Sequence, residues 1–209
     1  MTNSERKRAE TIIQEVFEKI NDEYLRVRIE EPIEKAAASF EFDRTVPVTH
    51  QTFTQVTRDF VRHVYQRAMW GWQIMPAEKA LTEAVAILEG GYQAAHGQGY
   101  YAAFLDASNL NLNGLEYILA QMASYITVMA RARHIRWVCA SRIELADWPT
   151  RYLIAEILLQ RWEPFLPENV RTCSPAQLAN HITELINVVL SIDRTVSTML
   201  DANIDFCDL

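Results

Sequence analysis

Glycine is scarce and confined. The 209-residue chain has six, all between Gly71 and Gly114. Positive φ and close backbone approach are therefore expected inside that window rather than elsewhere. Cysteine is scarce too: Cys139, Cys173 and Cys207 lie far apart, are odd in number and form no C-x-x-C pair. This excludes a disulfide framework and points to a reducing, cytoplasmic setting. An excess of positive charge is missing, since 20 Lys+Arg face 27 Asp+Glu for a formal net charge of −7. An acidic chain repels phosphate backbones, so no nucleic-acid partner is expected. Nor is there a long apolar run. The longest uncharged stretch in a predicted helix, Tyr117 to Ala130, falls short of the ~20 residues of a membrane span and carries Gln121, Ser124 and Thr127. The polar start, Met1 to Arg8, has no apolar stretch behind it and is not read as a signal peptide. A soluble protein without a membrane partner is the expectation.

What is present is helical periodicity. Hydrophobic residues make up 49% of the chain and charged residues 22%, a balance that supports a packed core rather than disorder. No segment alternates with period two. The spacing predicts one all-α domain over residues 1–209, a bundle of about seven helices. Thr2-x-x-Glu5 fits a capping box, and Ile13, Phe17, Ile20, Tyr24 and Val27 then share one helix face. Pro32 is expected to kink or break that helix, with Ile33 to Phe40 as a short continuation. After a linker from Glu41 to Thr49, a second helix with Phe53, Val56, Phe60 and Val64 inward runs to about Met69, and Trp70-Gly71-Trp72 ends it. Pro76 opens a third helix, and a short one is predicted from Tyr100 to Ala107. Asn113-Gly114-Leu115-Glu116 suggests a cap at Asn113 for the longest helix, ending near Glu144. Asp147-Trp148-Pro149 opens a helix, stopped by Pro164 and Pro167, that is apolar nearly all round and so predicted central and buried. Ser174-Pro175-Ala176-Gln177 carries the strongest start signal, for a last helix to about Ala202.

That last helix holds a heptad seam: Leu178, Ile182, Leu185, Val189, Ile192, Val196 and Met199. In isolation the seam favours parallel two-stranded pairing. Ile186, Val188, Leu190 and Leu200 widen the stripe, as in a helix packed inside its own bundle. Both readings stay open, and with them a homodimer through the terminal helices.

Two places collect chemistry. The segment from Gly90 to Tyr101 brings together Tyr92, His96, Tyr100 and Tyr101, either as a pocket lining or as a tight helix corner. Gly97-Gln98-Gly99 within it is no phosphate loop, because no strand precedes it and no Lys-Ser/Thr follows. On the long helix, Arg133 and Arg136 extend the apolar face of Leu115, Ile118, Met122, Ile126 and Met129. A buried guanidinium needs a carboxylate, a partner subunit or an anionic ligand; an emerging helix would leave it solvated. Arg131 and His134 lie beside them.

Other chemistry finds little footing. Asn109, Asn111 and Asn113 are neutral amides with Ala120 where a calcium loop needs a bidentate Glu, so capping and turns explain them better. Asp59 and His63, four apart, suit a local hydrogen bond better than a metal. No Glu precedes a His by three, and no nucleophile elbow appears. No metal or cofactor is expected. The expected function is helix-mediated association, regulatory or scaffold-like and without catalysis. The competing expectation is a small-molecule pocket, binding or enzymatic, joining Tyr92, His96, Tyr100 and Tyr101 to Arg133 and Arg136.

Overall fold

A capping box opens the first helix, as its sequence predicts. The Thr2 hydroxyl accepts from the Glu5 amide at 3.3 Å, and the Glu5 carboxylate accepts from the Thr2 amide at 2.6 Å. The computed structural model describes residues 2–68 and 111–193, and every regular element among them is helical. The protein is all-α over these residues, and no described helix is long and apolar enough to cross a membrane. The Trp70-Gly71-Trp72 stop, the Pro76 helix, the Tyr100 to Ala107 helix, and Val196 and Met199 of the seam lie outside the described residues. The described residues group into two compact units, one of 2–25 and 131–193, the other of 26–68 and 111–130.

In the first unit, α1 (Asn3–Ile20) buries Ala9, Ile13, Val16 and Ile20, the faces met by steps of four and three. The helix stops at Asn21, well before Pro32. Asn21 serves two helices at once: its amide nitrogen donates to the Glu18 carbonyl at 2.7 Å, and its amide oxygen accepts from the Tyr24 N–H at 2.9 Å. The second bond opens α2 (Asp22–Leu25). The second unit begins with a π-helical turn, Arg26–Glu30, that leads into α3 (Glu31–Ala38), with Pro32 in the first turn of α3. A proline cannot donate to the carbonyl four residues back and its ring crowds that carbonyl, so a wider turn there accommodates it. The extra residue shifts the phase of the face, and Val27, predicted inward, is 49% exposed.

In the second unit, α4 (His50–Ala68) packs against α3 and buries Phe53, Phe60, Val61 and Val64. The Thr49 hydroxyl accepts from the Thr52 amide at 3.2 Å and caps it. Helix α5 (Leu112–Cys139) begins earlier than predicted. Its cap is Asn111, whose side-chain oxygen accepts from the Gly114 amide at 2.8 Å; Asn113 is already inside the first turn. Leu115, Ile118, Met122, Ile126 and Met129 are buried, as their period requires.

The C-terminal part of α5 belongs to the first unit. It continues through a π-helical turn, Ala140–Glu144, to the predicted end near Glu144. Asp147 then caps α6 (Trp148–Trp162), accepting from the Thr150 amide at 3.1 Å. Leu153, Ile154, Ala155, Ile157 and Leu158 are buried, while Trp148, Gln160 and Arg161 are exposed. A short turn, Glu163–Phe165, contains Pro164, and α7 (Glu168–Arg171) follows Pro167. The Ser174–Gln177 capping box forms and opens α8 (Pro175–Asn180). The predicted single last helix is two, because His181 leaves helical geometry (φ −115°, ψ 84°) and α9 (Ile182–Ile192) begins after it. Within the described seam, Leu178, Leu185 and Val189 are at most 1% exposed, with Ile186, Val188 and Leu190 buried beside them, while Ile182 and Ile192 are half-buried. Helices α1, α8 and α9 all pack on α6.

Candidate functional site

Helices α1 and α6 leave a surface groove of about 510 Å³ between them. Its apolar residues include Ile13 from α1 and Ile157 from α6, both in the core rows of their helices. Phe17 lies one turn beyond Ile13, and Trp162 ends α6 where Glu163-Pro164 halts the helix. Their rings stack at 4.5 Å between centroids and 8° between planes. Both side chains are only half-buried, so the stack meets solvent. The Arg161 guanidinium lies 5.5 Å from the Trp162 ring centroid, within cation–π range. Glu10 and Gln14 complete the lining from α1. Glu10 pairs with Arg6 at 3.6 Å, an exposed contact worth little, and Gln14 donates to Glu18 at 3.0 Å. The groove thus combines an apolar floor, an aromatic wall, and one charge of each sign. Arrangements of this size and lining hold ligands or the anchors of a partner helix.

Of the residues singled out from sequence, Tyr92, His96, Tyr100 and Tyr101 lie outside the described residues. Arg133 and Arg136 are half-buried, and Arg136 reaches the Asn187 side-chain oxygen at 3.5 Å. The deeply buried arginine is their neighbour Arg131, 6% exposed. Its Nε and Nη2 both donate to one Asp193 oxygen, at 3.2 and 2.6 Å, and Nη2 also reaches Asp22 at 3.3 Å. Asp193 follows the C-terminus of α9, where the helix dipole opposes a negative charge, and Arg131 offsets it. A buried carboxylate, Asp193, therefore takes the Arg131 guanidinium; the partners foreseen for Arg133 and Arg136 are a separate matter.

His134 is buried beside it. Its Nε2 lies 2.9 Å from the Lys19 carbonyl, which only accepts, so Nε2 carries the proton. This satisfies a carbonyl in the last turn of α1. The ring stacks on Tyr24 at 5.5 Å. Burial holds the imidazole below its ordinary pKa, against the Lys19 hydrogen bond, which favours the charged form.

Asp59 and His63 do not share a partner. Asp59 accepts from Gln55 and pairs with Arg62, whereas His63 Nε2 meets the Ser39 hydroxyl at 3.0 Å. The Ser39 hydroxyl donates to the Ala36 carbonyl at 2.9 Å, closing α3. With its one proton spent there, Ser39 accepts from His63, which is the reverse of nucleophile activation. Burial pushes the Cys139 thiol up to about 12, which keeps it protonated and inert. Among the described residues no three His, Cys, Asp or Glu side chains gather as a metal site would require. No family model matches the chain, and comparison with curated proteins and with solved structures also returns no match.

The α1–α6 groove was not anticipated. Phe17 and Trp162 are far apart in sequence, and the only hint was that α1 carries an apolar row of its own.

Proposed function

We propose that this protein is a helix-mediated association module, without catalysis of its own, that docks a partner helix in the α1–α6 groove. One observation carries the reading: a stacked, half-buried Phe17–Trp162 pair beside an open groove with an apolar floor of Ile13 and Ile157. Burial of Leu178, Leu185 and Val189 within the chain favours assigning docking to α1 and α6 instead. The free thiols Cys139 and Cys173 support a reducing, cytoplasmic location. Selection of amphipathic helices from a displayed library tests the groove. Binders with aromatic or leucine anchors one and two turns apart are expected, with roughly micromolar Kd. Gln14→Trp, which fills the groove from an exposed position, should weaken them at least about tenfold. Failure to recover any binder sensitive to Gln14→Trp would remove the proposal.

A further inference from the structure

Resting on that reading, we infer that the helix pair docking in the groove is a second copy of this chain, arranged about a two-fold axis. The first argument is charge. A two-fold contact sets residue i against j and j against i, so it requires a surface that complements itself. The groove lining holds one acid on α1, Glu10, and one base on α6, Arg161. Arg161 pairs with no carboxylate among the described residues; its guanidinium rests over Trp162. Among the described residues Glu10 pairs with Arg6 alone, at an exposed contact. Opposed two-fold grooves therefore match Glu10 of each copy with Arg161 of the other. The second argument is shape. Phe165, 54% exposed, ends the turn that follows Trp162, so each copy carries a solvent-facing aromatic side chain three residues from a groove-lining one. In the dimer that ring enters the groove of the other copy.

Sedimentation equilibrium from about 1 to 200 μM, spanning a micromolar Kd, tests the inference through a charge exchange. The wild type is expected to dimerise, E10R and R161E each to weaken it about tenfold or more, and the E10R/R161E double variant to restore it. F165A should weaken it as well. Both exchanged positions are exposed, so circular dichroism should show the same helical spectrum for all variants. A monomeric wild type over the whole range overturns the second-copy inference, as does a double variant no better than the singles. If the groove still selects displayed helices in a Gln14-dependent way, that result removes only the second copy and leaves the docking surface; loss of both removes both.

Discussion

Arg131 is buried, and removing its partners one at a time should have unequal effects. The Asp193 side chain is 6% exposed and the Asp22 side chain 99%. Asp193→Ala strands a guanidinium in the core and should cost about 3–5 kcal/mol. Asp22→Ala removes an exposed partner and should cost less than about 1 kcal/mol. Urea unfolding measures both, and equal losses would contradict this division. His134 sets a pH dependence. Its folded pKa is depressed, so its contribution is full above the ordinary imidazole value of about 6.5 and is lost as pH falls from there toward the folded value. His134→Gln should flatten that slope. Asp147, lowered by its bonds to Thr150, acts in a separate window: its contribution is present above the ordinary carboxylate range and fades only as pH falls below it. Residue-scale features were legible where they are local. The Thr2–Glu5 and Ser174–Gln177 boxes complete themselves within four residues. Which of three neighbouring arginines is buried was not legible, because Asp193 and Asp22 reach Arg131 from 62 and 109 positions away.

Among elements, the repeated Asn of the Asn111-Leu112-Asn113-Gly114 start offers a direct comparison. Asn111→Ala should cost about 1 kcal/mol by removing the cap, while Asn113→Ala, within the first turn of α5, should be neutral or slightly stabilising. The opposite order in thermal or urea unfolding would return the cap to Asn113. The two asparagines present nearly the same local pattern, so sequence alone could not rank them. Helix faces were legible because burial repeats with the turn, as Ile118, Met122, Ile126 and Met129 demonstrate. Breaks at Asn21 and His181 were not, since neither is a glycine or proline and each depends on how the chain is held on both sides. The seam from Leu178 shows a related limit: period identifies an apolar row but not whether the same chain or another covers it.

On the scale of the whole molecule, the all-α architecture of the described residues followed directly from periodicity, whereas the groove needed residues of α1 and α6, remote from each other in sequence. Cys139 offers a probe of opening at this scale. It is fully buried, with a thiol raised to about 12, and Cys173 is half-buried in contact with the Asn169 carbonyl at 3.4 Å. In native protein, iodoacetamide should modify Cys173 first and reach Cys139 only through unfolding, as peptide mass spectrometry would report. Native-state modification of both at one rate would show that the end of α5 is not covered as described.

The Asp22–Arg131–Asp193 clamp also has a kinetic meaning. Three remote stretches must already have met before it can close, and chain-closure entropy makes such contacts late events. Asp193→Ala should therefore leave the refolding limb of a chevron plot nearly unchanged and steepen escape from the native state, so the clamp governs how long the molecule stays folded more than how quickly it gets there.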